Sequence, residues 1–135
     1  MIEEDLARIM AHPQVLICSD GGVGGRHPRG YGAFPRVLAR YVRERGLVTL
    51  EEAIAKMTGR SAAQMGLADR GVIAPGRKAD LVVFDPARVQ DHATPQDPNR
   101  MSTGIRDVIV NGEAVLLDGR MTAARPGRGL RRVSR

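Results

Sequence analysis

The run Val15-Leu16-Ile17-Cys18 leads into Ser19-Asp20-Gly21-Gly22. Four apolar residues stopped by a polar, glycine-rich turn predict a short strand buried on both faces. Such a strand cannot stand alone, because its backbone N–H and C=O groups need neighbouring strands. The patterns that follow it directly are helical, and the other strand patterns begin only at Gly71. The chain therefore reads as one piece of a larger α/β architecture. Asp20 falls where the strand stops. Side chains at the carboxyl ends of parallel strands are the ones presented to ligand, which makes Asp20 the first candidate for chemistry. The competing role is local, since Asp before Gly often caps a turn.

Composition narrows the classes. The chain has 135 residues and a net charge of +6, which sets one domain as the default. Lys56 and Lys78 are the only lysines, so the charge is nearly all arginine. With two Phe, two Tyr and no Trp, no aromatic residues interleave with the arginines as a single-strand nucleic-acid groove requires. The basic charge is read as a solvated surface, and no nucleic-acid partner is expected. Cys18 is the single cysteine, so neither an intrachain disulfide nor a cysteine metal site is available. No apolar run approaches the roughly 20 residues of a membrane span. The acidic start Met1-Ile2-Glu3-Glu4-Asp5 is unlike a signal peptide, and a cytoplasmic location is expected.

Helices are predicted at Ile2 to Met10 and at Phe34 to Arg45. A third is expected from Leu50 to Thr58, and a short fourth near Ser61. Pro35 suits a first helical turn, and Phe34, Val37, Leu38, Tyr41 and Val42 form an apolar stripe. Thr49 with Glu52, and Ser61 with Gln64, have capping-box spacing. Strands are predicted at Val72-Ile73, Leu81 to Phe84, Ile105 to Val110 and Ala114 to Leu117. Asn111-Gly112 is a strong hairpin signal, and Asp118-Gly119 marks a further turn. The proline-containing stretch Asp85 to Gly104 reads as loop, and the tail from Arg125 to Arg135 as a basic tail. The loop Gly21 to Gly25 has neither the P-loop nor the dinucleotide-binding spacing, so it reads as a flexible, substrate-covering segment.

Four stretches together carry a resemblance. Ser19-Asp20-Gly21 is followed by His27-Pro28-Arg29-Gly30-Tyr31-Gly32-Ala33-Phe34-Pro35-Arg36. Then come Ala79-Asp80-Leu81-Val82-Val83-Phe84-Asp85-Pro86 and Val110-Asn111-Gly112. From about His12 to Arg132 the order resembles the C-terminal part of the N-acyl-D-amino-acid deacylases, in the metal-dependent amidohydrolase superfamily. The first two stretches are the specific ones. The others are shared widely among amidohydrolases.

The resemblance implies an α/β fold: the last βα unit of a TIM barrel, then antiparallel strands of a small composite β domain. Residues 1–70 would be the barrel strand with its covering helices, and residues 71–135 the β segment with its basic tail. It implies a zinc-dependent hydrolase that splits N-acyl-D-amino acids into a carboxylate and a D-amino acid. Asp20 is then the catalytic carboxylate. His27, in the loop after it, is a candidate substrate contact or else a structural loop histidine. Arg29 and Arg36 are each candidates to pair with a substrate carboxylate, as arginine does well, or else ordinary exposed arginines. The family's other metal ligands are absent here. His12, His27 and His92 have no zinc-motif spacing, so only Asp20 could touch a metal. The implied partners are a small N-acyl-D-amino acid and the missing N-terminal barrel, without a membrane, and the piece alone is expected to be inactive. Two alternatives remain open: another amidohydrolase of the dihydroorotase or hydantoinase kind, or a non-catalytic structural module.

Overall fold

The structure is a computed structural model and describes residues 2–22 and 24–131. Helices occupy the first half and an antiparallel sheet the second. Helix α1 spans Glu3–Ala11, α2 Arg29–Arg36, α3 Leu50–Met57 and α4 Gly59–Met65. Strands are β1 Leu81–Phe84, β2 Ile105–Val110, β3 Glu113–Leu117 and β4 Arg120–Met121, in spatial order β1-β2-β3-β4.

Helix α2 continues without a break into a π-helical run, Val37–Glu44. The helix thus begins at Arg29, five residues before the predicted start at Phe34, and Pro35 lies inside it. An interior proline donates no N–H to the carbonyl one turn back. That carbonyl belongs to Tyr31, and the Ser102 hydroxyl donates to it instead at 2.9 Å. The loop from 85 to 104 therefore completes the helix. It is fixed there by Arg43 as well, whose guanidinium donates to Val89 O at 2.6 Å and to Gln90 Oε1 at 2.7 Å.

The core forms where the predicted stripe of this helix meets α3. Val37, Tyr41 and Ala53 are buried together, with Leu6, Met10, Ile17, Leu47 and Met57 packed around them. Leu38 is also buried, whereas Phe34 sits at the stripe's edge and is 39% exposed. The Thr49 hydroxyl accepts the Glu52 N–H at 3.2 Å, as its spacing predicts. The second capping box does not form. Helix α4 starts earlier, at Gly59, and Ser61 donates instead to Lys56 O at 2.7 Å.

In the sheet, β2 and β3 are joined by Asn111 and Gly112 at φ +49° and +85°. Asp118 and Gly119 join β3 and β4 at φ +48° and +73°. Two successive left-handed residues give the turn twist that suits adjacent antiparallel strands. Leu81 faces Ile109 across β1 and β2, and Val110 faces Glu113 across β2 and β3.

Two predicted strands are absent. Val15 to Cys18 joins no sheet, and its described backbone bonds are Val15 N–H to His12 O and Ile17 N–H to Lys56 O. No second strand lies beside it among the described residues, so Cys18 is exposed rather than packed. Val72 and Ile73 follow Gly71 with no partner and are 59% and 87% exposed. The tail from residue 122 to 131 has no regular structure, while Arg132 and Arg135 lie outside the described residues.

Candidate functional site

The loop after Val15 to Cys18 turns at Asp20, which holds φ +49°, a left-handed backbone that Asp and Asn adopt more readily than other side chains. Ser19 braces the turn, its hydroxyl accepting the Gly21 N–H at 3.2 Å. The glycine at 21 is required by space: a Cβ there would come within 2.9 Å of Gly30 Cα. The loop therefore lies directly on the first turn of α2.

That contact gathers the predicted site residues. Arg29 is the first residue of α2, and its Nη1 lies 3.1 Å from Asp20 Oδ2. The Arg29 N–H donates to His27 Nδ1 at 3.2 Å. With Nδ1 accepting, a neutral ring carries its proton on Nε2. Asp20 and Arg29 are both open to solvent, their side chains 76% and 48% exposed.

Beside them runs a cleft of about 450 Å³, lined among others by Ile17, Ser19, His27, Arg29, Arg36 and Asp91. Its far wall is the pair Arg36 to Asp91, at 3.0 Å. Burial alone would lower the Arg36 guanidinium, but the Asp91 carboxylate outweighs it and holds the group above its ordinary value. Arg36 is thus engaged within the chain, with its side chain still 48% exposed. Gly32 lets Asp91 approach, since a Cβ at 32 would meet Asp91 Cβ at 3.1 Å.

Asp91 and Ser102 gave no local signal, because each acts on a helix more than 50 residues away in a stretch that reads as loop. His12 only ends α1, and His92 bonds Thr103 Oγ1 at 2.8 Å. Among the described residues no three His, Cys, Asp or Glu side chains converge as a metal site. A lone exposed carboxylate, Asp20, does not hold a metal by itself. Among the described residues no helix is long and apolar enough to cross a membrane.

Residues 4–116 match the amidohydrolase family, and the chain belongs to that family. Within it, the chain is 47% identical to the D-aminoacylase of Alcaligenes xylosoxydans xylosoxydans, over 99% of this chain and 28% of the enzyme. It superposes on the crystal structure of a D-aminoacylase with TM-score 0.87 and 51% identity, covering 92% of this chain and 27% of that one. It also matches the N-acyl-D-glutamate deacylase of Bordetella bronchiseptica, solved with zinc and a phosphonate mimic of the tetrahedral intermediate. There the TM-score is 0.82 at 49% identity, over 90% of this chain and 27% of that one. The chain spans about a quarter of the length of the curated relatives it matches.

Proposed function

We propose that this chain is the C-terminal part of a zinc-dependent deacylase that hydrolyses N-acyl-D-amino acids to a carboxylate and a D-amino acid. Residues 1–70 serve as its last barrel unit, and residues 71–135 as strands of its small β domain. Zinc and its main ligands belong to the remainder of the enzyme, and among the described residues Asp20 is the one assigned to reach the metal. The reading puts the enzyme in the cytoplasm, in line with a single unpaired cysteine.

One observation carries the reading: Asp20 and Arg29 meet beside a cleft, in a chain similar to D-aminoacylase along nearly its whole length. Amide hydrolysis needs a base for the attacking water and an acid for the leaving amine. Asp20 performs both. Its carboxylate takes a proton as the water oxygen bonds to the amide carbon. It returns that proton to the nitrogen as the C–N bond breaks, so no net proton is consumed at the residue. Arg29 and His27 hold the substrate, Arg29 through the carboxylate of the D-amino acid, for which a guanidinium fork is suited. Against a cyclic-amide hydrolase stands the specific His27 to Arg36 stretch, which belongs to the deacylase resemblance.

The test is Asp20→Asn in the complete enzyme carrying this segment. Asn tolerates φ +49° as Asp does and keeps the shape, but it cannot take a proton from water at neutral pH. Turnover is expected to fall by about 10²–10⁴-fold with the enzyme folded and substrate still bound. Near-normal kcat would return Asp20 to a turn cap.

A further inference from the structure

Lys56 is fully buried, with 0% of its surface exposed. A lysine seldom occupies such a place unless its head group is bonded. Its Nζ donates to Met10 O at 2.7 Å and to His12 O at 2.6 Å, and Glu52 Oε1 stands 4.0 Å away. Met10 and His12 lie at the end of α1, where the last carbonyls have no partner within the helix. Lys56 therefore caps α1 from a different helix. Its own carbonyl accepts the Ile17 N–H at 3.4 Å and the Ser61 hydroxyl at 2.7 Å. One residue thus grips both ends of the stretch from Met10 to Ile17, three residues short of Asp20.

This grip bears on the site because the stretch has so little else. It joins no sheet, and besides local bonds at the helix end its other described backbone bond is a long one, 3.5 Å, from Arg60 Nη1 to Pro13 O. A packing role alone would be met by methionine or leucine at position 56, without burying a polar group.

We propose that Lys56 is the positioning residue for Asp20. The inference rests on the reading of Asp20 as the proton carrier. Lys56 sets where the segment leaves α1 and how it passes α3, and so where the carboxylate stands relative to the substrate amide. A displacement of about 1 Å at a reacting group can cost about 10²-fold in rate.

The experiment is a double-mutant cycle in the complete enzyme, with Lys56→Met, Asp20→Asn and the pair. Rates are counted per folded molecule, with folding followed by circular dichroism. Lys56→Met is expected to lower kcat by about 10–100-fold while KM stays within about 3-fold. In the Asp20→Asn background the same change is expected to cost almost nothing further, because the group it positions is already inert. A general structural defect would instead lower both backgrounds alike, and that result would overturn the proposal, as would a normal kcat for Lys56→Met. If Asp20→Asn itself keeps full turnover, the reading of Asp20 fails and the Lys56 inference with it. If Asp20→Asn is inert and Lys56→Met is normal, only the Lys56 inference fails. Should Lys56→Met not fold, Ser61→Ala decides the matter, since it loosens the same carbonyl and keeps the amine. An unchanged kcat in folded Ser61→Ala would then reject the proposal, and a fall of about 3-fold or more at constant KM, absent in the Asp20→Asn background, would support it.

Discussion

Nη1 of Arg29 stands 3.1 Å from Oδ2 of Asp20, across a turn that closes on the first residues of α2. The pair is exposed, and exposed pairs add little to stability. It therefore matters through what each partner is poised to do. The contact sets the carboxylate beside a guanidinium that lines the cleft.

Removing that guanidinium is expected to act on substrate rather than on fold. In the complete enzyme, Arg29→Met should raise KM for N-acyl-D-amino acids about 10–100-fold, the value of one charge-assisted hydrogen bond. The effect should vanish for substrate analogues whose carboxylate is replaced by an amide. Steady-state kinetics on the two substrates check this. An equal loss on both would assign Arg29 to Asp20 instead.

Acid sensitivity is expected to centre partly on Asp107. The Asp118 N–H donates to its Oδ1 at 2.9 Å and Arg106 Nε to its Oδ2 at 2.7 Å. The backbone bond first, then the guanidinium, hold the carboxyl below its ordinary value. A folded-state value below the unfolded one gives stability that is present above about pH 4 and lost as pH falls through the folded value. Asp107→Asn should thus be less stable than the parent at pH 7, with the gap narrowing towards pH 3. Glu52 and Asp69 are lowered too, each by its bonded arginine first, so the parent's acid slope should shrink without disappearing. Denaturant melts at both pH values measure the gap, and a gap constant with pH would remove Asp107 from the account.

Gly104 is expected to tolerate no side chain. It holds φ +82°, and a Cβ there would lie 2.4 Å from both the Cα and the N of Val89. The left-handed backbone alone costs about 1–3 kcal/mol for a residue other than glycine. The clash adds to it, because Val89 is completely buried and cannot retreat. Gly104→Ala should lower the melting temperature clearly, and Gly76→Ala, which meets nothing within 4 Å, should lower it less. Equal melting temperatures would show that the loop relaxes.

What could be read from the sequence was what is decided locally. Strands β1, β2 and β3 and the Asn111-Gly112 turn follow from apolar runs and from turn residues acting over a few positions. The stripe Val37, Leu38, Tyr41 holds for the same reason. The early start of α2 was hidden, because Gly30, Gly32 and Pro35 argue against a helix and only the distant Ser102 makes the proline acceptable. Asp20, His27 and Arg29 were named from the sequence, and the fold does bring them together. The Arg36 to Asp91 pair was not legible, because the two lie 55 positions apart. Lys56 looked like any helical lysine, since burial of a charged side chain has no periodic signature.

The two left-handed turns of the sheet have a consequence for the order of assembly. Strands β2, β3 and β4 close on one another within residues 105–121, so little chain entropy is spent before pairing begins. The helix from Arg29 to Glu44 is in place only when Pro86 to Ser102 reach it, across separations of 43 to 71 residues. Ribosomal synthesis delivers these parts in the opposite order. The earlier helix must wait for later residues, whereas the meander can form as soon as it emerges. In refolding followed by pulsed hydrogen exchange, amides of Val108 to Leu116 should gain protection before that of Leu47, which donates to Tyr41 O at 2.8 Å. Protection appearing at Leu47 first would reverse the sequence of events.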